Sequence, residues 1–198
     1  RYQSIQPFGS ALAGLGLILF SCSSYGQAVP LGEAENFSII SSAGLTNTGL
    51  LTIVNGNIAF GTTPSLTGFP PGTITGTIHS NDLIAQNAMA DALTAYNTLA
   101  GTASTTNLTG LDLGGMTLSS GVYHFNSSAG LTGALTLATG TDPNAVFIFQ
   151  IGSTLTTATA SSVVVTGAGA GTAPNIFWQV GSSATFGTGT AFAGNVLA

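Results

Sequence analysis

One pattern recurs through the second half of the chain and limits the fold more than any other feature. An apolar, β-type run passes through a small Ser/Gly/Ala corner into a Thr-rich run. It appears as Val122-Tyr-His-Phe-Asn-Ser-Ser-Ala-Gly-Leu-Thr132, as Val146-Phe-Ile-Phe-Gln-Ile-Gly-Ser-Thr-Leu-Thr156 and as Ile176-Phe-Trp-Gln-Val-Gly-Ser-Ser-Ala-Thr-Phe186. A weaker echo is Phe37-Ser-Ile-Ile-Ser-Ser-Ala-Gly-Leu-Thr46. The three strong copies start 24 and then 30 residues apart. A repeat in this range means stacked units, none of which can bury its apolar face alone. Apolar β runs with small corners predict the coils of a β-solenoid, several strands to a coil. A β-sandwich of similar hairpins is the alternative, but its turn signals come at a steadier spacing of about 8–12 residues.

A solenoid also accounts for an unusual polar composition. Charged residues make up 4% of the chain, there is no lysine, and Arg1 is the only basic residue. The six acids (Glu33, Glu35, Asp82, Asp91, Asp112 and Asp142) are scattered singly. A chain with a single base is a poor ligand for nucleic acid, where Lys and Arg contacts to phosphate dominate. It equally lacks the polybasic patch of a membrane-surface site. Hydrophobic residues make up 44% and the mean hydropathy is +0.48, so the chain can bury a core and is not of the disordered class. What keeps its surface wet is hydroxyl and amide, above all 29 threonines.

Residues 1–28 read as a secretory signal, with Ala11 to Phe20 as the apolar stretch and Gly26-Gln27-Ala28 as the cleavage site, cut after Ala28. The expected location is therefore extracellular. The apolar run is too short to span a membrane. Leu19-Phe20-Ser21-Cys22 loosely resembles a bacterial lipobox, with the bulky Phe20 against it, so secretion competes with a lipid anchor. Cys22 is the only cysteine and lies in this segment, so the mature chain has no disulfide. Order must come from a long hydrogen-bonded stack instead. Three glycosylation sequons begin at Asn36, Asn107 and Asn126; they matter only in a eukaryotic source. Residues 29–198 form one solenoid domain. Within it, about 81–100 is predicted to be a helix capped by Asn81 or Ser80. Leu83, Ile84, Met89, Ala90, Leu93 and Tyr96 to Leu99 lie close to helical spacing, with Asn87, Asp91 and Thr94 opposite.

No catalytic constellation stands out. His79 and His124 are single, and no His/Cys metal spacing exists, so neither a cofactor nor a metal is expected. Asp112 and Asp142 sit in turn sequences. Thr166-Gly-Ala-Gly-Ala-Gly-Thr172 lacks the Gly-Lys-Ser/Thr of a P-loop. A β-helical carbohydrate enzyme would need two carboxylates to meet in space. That leaves the threonines. Alternate side chains of a strand face opposite sides. If Leu45, Leu131, Leu135, Leu137, Leu155 and Phe186 point inward, then Thr46, Thr48, Thr132, Thr136, Thr154, Thr156 and Thr185 point out. Threonine is a good strand former anywhere. Ordinary exposed strands, however, also carry Lys and Glu, partly to prevent edge pairing. A flat face of hydroxyls and methyls without charge suits a target that is itself a regular lattice of water.

Four segments carry a family resemblance: Ala28-Val-Pro-Leu-Gly-Glu-Ala-Glu-Asn-Phe37, Thr67-Gly-Phe-Pro-Pro-Gly-Thr73, Asp142-Pro-Asn-Ala-Val-Phe-Ile-Phe-Gln-Ile151 and Asn175-Ile-Phe-Trp-Gln-Val-Gly181. They resemble the large microbial ice-binding protein family of fungi, algae and bacteria, over nearly all of residues 28–198. The resemblance implies a mainly β fold, a right-handed irregular β-solenoid of triangular cross-section with one long α-helix packed alongside. It implies an antifreeze function: adsorption to ice through one flat face, with thermal hysteresis or inhibition of recrystallisation. No cofactor is implied. No fixed array of site residues transfers, so the seven threonines rest on strand parity alone. The partner is expected to be an ice surface, with no nucleic acid and no membrane insertion, and the chain a monomer and not an enzyme. A structural or adhesive module binding polysaccharide or protein is the competing reading. The sequence begins with Arg1 and ends at Ala198, where family members usually continue through about one more coil, so a partial sequence is expected.

Overall fold

The structure, a computed structural model, describes residues 29–47, 52–61, 65–170 and 175–198. The expected signal segment 1–28, with Cys22, and Thr48 lie outside the described residues. A short 3-10 helix, Gly32–Asn36, leads into the first coil: β1 (Phe37–Ser41), β2 (Gly44–Thr46) and β3 (Ile53–Val54). The second coil is β4 (Asn57–Phe60), β5 (Ser65–Thr67) and β6 (Thr73–Ile74). Then β7 (Ile78–Ser80) runs straight into α1 (Leu83–Gly101). After α1 come β8 (Thr106–Asn107) and β9 (Thr117–Ser119), followed by β10 (Gly121–Phe125), β11 (Ala129–Leu131) and β12 (Ala134–Ala138). The next coil is β13 (Phe147–Ile151), β14 (Thr154–Thr157) and β15 (Ser162–Thr166). Finally come β16 (Ile176–Val180), β17 (Ser183–Thr185) and β18 (Asn195–Leu197).

Strands pair in parallel with the same strand of the next coil, which gives three faces. The helix face holds β1-β4-β7 and β18-β16-β13-β10-β8. The second face holds β2-β5 and β11-β14-β17, and the third β3-β6 and β15-β12-β9. α1 contacts β1, β4 and β7 as well as β13 and β16, so one helix spans the two stacks. Between the stacks β18 and β1 are facing strand edges, with an apolar cleft lined by Phe37, Ile40, Met89, Tyr96 and Leu197. The repeat is confirmed, but its true offsets differ from those read off the copies. Val122 pairs with Ile148 and Ile148 with Phe177, steps of 26 and 29 residues. The copies differ in length ahead of the paired His124, Gln150 and Gln179, so their starts do not mark the register.

Strands of the helix face read as unbroken apolar runs because both their sides are covered. In β13, Phe147, Phe149 and Ile151 enter the solenoid core, while Ile148 packs under the helix with Val122, Phe177 and Leu99. Inside the core, aromatic rings stack coil upon coil. Tyr123 lies on Phe149 at 5.4 Å between centroids, Phe149 on Trp178 at 3.9 Å, and Trp178 against Phe192 at 4.9 Å. The Trp178 indole N–H donates to the Ala193 carbonyl at 3.0 Å. Burial pushes the Tyr123 hydroxyl's pKa up, and that hydroxyl donates to the Ser119 carbonyl.

The helix is where predicted, but two details change. Its N-cap is Asp82, whose Oδ1 accepts the Ala85 N–H at 2.8 Å, while Asn81 sits before it at φ +51°. Its buried face is Ala85, Ala88, Ala95 and Leu99, while Leu83 and Leu93 are 71% and 61% exposed and Ile84 is also exposed. Small residues let the helix lie close on the sheet, Ala85 and Ala88 meeting Ala59 directly. Longer side chains at those positions would hold it off. Asp91, expected on the outer side, accepts the Glu33 N–H at 2.8 Å and ties the helix to the leading 3-10 turn.

The helix C-terminus is held by a side chain from β13. The Gln150 amide donates to the Leu99 carbonyl at 2.7 Å and the Thr102 carbonyl at 2.6 Å. Replacing Gln150 with Leu takes the amide donor from the Thr102 carbonyl, leaves the Leu99 carbonyl only the Thr102 N–H at 3.3 Å, and should lower the denaturant-derived stability by about 1–3 kcal/mol. An unchanged midpoint would show that water or a neighbour replaces the amide. At the other end, backbone hydrogen bonding to Ala85 and a 2.8 Å contact with His79 hold the Asp82 carboxyl below its ordinary value of 3.8. A depressed carboxylate contributes stability above its unfolded value and loses it as the pH falls through the folded one. Wild type should therefore lose more stability than Asp82→Ala when acidified below 3.8. Parallel acid-unfolding curves for the two proteins would contradict this.

Candidate functional site

The second face is built from one three-residue unit. The triplets are Gly44-Leu45-Thr46, Ser65-Leu66-Thr67, Ser128-Ala129-Gly130, Thr154-Leu155-Thr156 and Ser183-Ala184-Thr185. The middle residue points inward: Ala129 and Leu155 are buried at 2% and 0% exposure, and Ala184 packs on the same core. Parity then turns the flanking residues out. Pairing stacks them into columns: Gly130, Thr156 and Thr185 in one, Thr154 and Ser183 in the other. The Thr154 hydroxyl donates to Ser128 Oγ at 2.8 Å, extending the second column by a coil. In the other stack Gly44 pairs with Ser65 and Thr46 with Thr67. Rungs are about 4.8 Å apart, and the two columns about 6.6 Å.

Chemically the face is uniform. No strand residue on it is charged. The hydroxyls of Thr46, Thr67, Thr156 and Thr185 have no hydrogen-bond partner among the described residues. Other threonines bond within the fold: Thr94, Thr98 and Thr102 to helix carbonyls, Thr157 to Thr190. The outward threonines thus present a methyl and a hydroxyl each to whatever lies on the face. The nearest carboxylate, Asp112, bridges Gly130 at the end of the array. It accepts from the N–H groups of Gly114 and Thr132 and from the Thr132 hydroxyl, at 2.7, 2.9 and 3.1 Å. A Cβ on Gly130 would lie 2.7 Å from Asp112 Oδ2, which explains a glycine where later coils carry threonine.

The threonines expected from parity divide over the fold. Thr46, Thr154, Thr156 and Thr185 share the second face. Thr132 does not join them: it sits at the corner, tied to Asp112, where the chain turns through Gly133 at φ +86°. Past that turn Thr136 points outward on the third face, paired with Thr117 and Val164. Parity alone cannot show a turn between Leu131 and Leu135, since leucines on both sides of it point inward. Ser65, Thr67, Ser128 and Ser183 belong to the array and were not singled out in the sequence. The triplet of Ser, Thr or Gly, then Leu or Ala, then Thr or Gly would have found them.

The ice-binding-like family model matches residues 39–198. The chain belongs to the ice-binding protein family. An ice-binding protein from Nostoc sp. (strain HG1) is 54% identical over 168 residues, covering 85% of this chain. The chain spans 61% of that relative's length. The solved ice-binding protein of the Antarctic ascomycete Antarctomyces psychrotrophicus matches with a TM-score of 0.82 at 40% identity, over 87% of this chain and 83% of that one. One from an Antarctic biological consortium matches with a TM-score of 0.80 at 37% identity, over 98% and 81%. The solenoid with one flanking helix is therefore the family fold, mainly β as expected. Among the described residues no helix is long and apolar enough to cross a membrane.

Proposed function

We propose that this chain adsorbs to ice through the second face, β2-β5 with β11-β14-β17. The observation that carries the reading is the column Thr156–Thr185, continued in kind by Thr46–Thr67, whose hydroxyls bond nothing in the described protein. Family membership supports ice as the target. The physical account is direct. Methyl groups order adjacent water, hydroxyls anchor it, and no charge on the strands disturbs the pattern. Fixed strands hold the groups in place, so the surface need not order itself on binding. The mode is adsorption without catalysis, by a monomer. The N-terminal segment supports export, with Val29 as the first residue of the mature form. Nanolitre osmometry on the folded protein should show faceted crystals and a gap between melting and freezing. Disc-shaped growth from a sample with a cooperative unfolding transition would overturn the reading, and binding to polysaccharide by that sample would favour an adhesive module.

A further inference from the structure

We infer that Asp112 is a positioning residue for the ice-adsorbing face: it closes the last rung of the threonine array and sets where the array stops. This rests on the ice-binding reading above and extends it. After β8 the chain runs beneath β11 as one more, incomplete rung. Asp112 pairs with Gly130, the Leu113 N–H donates to the Gly130 carbonyl at 2.9 Å, and the Gly115 N–H donates to the Ala134 carbonyl at 2.7 Å. The outer edge of β11 is thereby covered by backbone. An open edge there would offer unpaired N–H and C=O groups to another chain.

The Asp112 carboxylate fixes this rung at a corner. Its Oδ1 accepts the N–H groups of Gly114 and Thr132, and its Oδ2 accepts the Thr132 hydroxyl. Bonds to an ionised acceptor are about twice as strong as neutral ones. Thr132 stands directly ahead of the Gly133 turn, so one side chain holds both the end rung and the bend out of the second face. A Cβ on Gly114 would lie 1.7 Å from the Thr132 carbonyl oxygen, so the clasp closes only over a glycine.

The same carboxylate limits the array. In the column Gly130–Thr156–Thr185 the end rung carries no side chain. Gly130 is strand backbone between the buried Ala129 and Leu131, so a side chain there would point outward beside Thr156. Apart from its chain neighbours, the only atoms within 4 Å of such a Cβ belong to Asp112, Oδ2 at 2.7 Å and Cγ at 3.8 Å. Gly44, in the other stack, differs. There a Cβ would lie 2.6 Å from the Ser65 carbonyl oxygen, which is main chain and cannot swing away. At Gly130 the obstacle is one side chain, and without it a further threonine fits the column.

A double-mutant cycle tests this, read by melting temperature and by the protein concentration that halts ice recrystallisation. Asp112→Ser clears the space and keeps a hydroxyl for the Gly114 N–H. Gly130→Thr on the wild-type background should push Asp112 off Thr132, lowering the melting temperature by about 4–8 °C and weakening inhibition. On the Asp112→Ser background the same change should move the melting temperature by no more than about 1 °C. It should also lower the halting concentration about twofold. Asp112→Asn keeps an oxygen for the two N–H groups and should inhibit like wild type, whereas Asp112→Ala should need several times more protein. Equal effects of Gly130→Thr on both backgrounds, or full inhibition by Asp112→Ala, would overturn the proposal. If either result comes while Thr156→Tyr still abolishes inhibition, the clasp is wrong and the ice-adsorbing face stands. If Thr156→Tyr inhibits fully, the face assignment fails and the proposal with it.

Discussion

Replacing Trp178 with alanine should remove about 3–5 kcal/mol of stability, the scale for emptying a buried aromatic site. The indole is fully buried and lies flat on Phe149, with ring planes 9° apart, and against Phe192 beyond it. Phe192 in turn meets Phe186 edge-on at 4.7 Å. Deleting one ring therefore opens a gap in a column that runs through successive coils. It also leaves the Ala193 carbonyl without its donor. Domains of this kind have about 5–15 kcal/mol in total, so the loss is a large share of it and the melting temperature should fall by about 6–20 °C in a calorimetric scan. In a solenoid each coil rests on its neighbours, so the loss should spread to the outward rungs, and ice activity should fall with it. A wild-type melting temperature for this variant would mean that the aromatic column is not what holds the coils in register.

The second large effect is on activity alone. Thr156→Tyr places a ring on the middle rung of the second face, between Gly130 and Thr185. The position is exposed, so its side chain supports no core contact and the unfolding free energy should hold within the ordinary range of surface substitutions, about ±0.5 kcal/mol. A flat solid cannot close over a protruding ring, so recrystallisation inhibition should be lost over most of its concentration range. Thr67→Tyr, in the other stack, should act in the same way if both stacks meet one ice plane. Full inhibition by Thr156→Tyr would remove this face from the site.

Fold and face were legible in the sequence to different depths. The repeat, its small corners and the mainly β class followed from residues such as Val146 to Thr156, because strand parity and apolar runs are local signals. Asp112 and Asp142 were read as turn residues, and each accepts the N–H two residues on. The helix face was misread because hydrophobicity favoured Leu83 and Leu93, whereas close packing on Ala59 selected alanines. The role of Gln150 had no local signature, since its partners lie about fifty residues away in sequence. The threonines could be assigned to the outside but not to a face. Their assignment depends on where Gly133 turns the chain, and on pairings such as Thr156 with Thr185 that span a whole coil.

Adsorption of labelled, folded protein to a single growing ice crystal tests the central claim most directly. Three samples are compared: wild type, Thr156→Tyr on the second face, and Leu93→Tyr on the exposed side of the helix. Wild type and Leu93→Tyr should coat the same planes. Thr156→Tyr, with an unchanged melting temperature, should leave the planes assigned to the second face uncoated. Equal coating of those planes by all three proteins, or loss with Leu93→Tyr alone, would contradict the claim that the threonine columns of β2-β5 and β11-β14-β17 meet the ice.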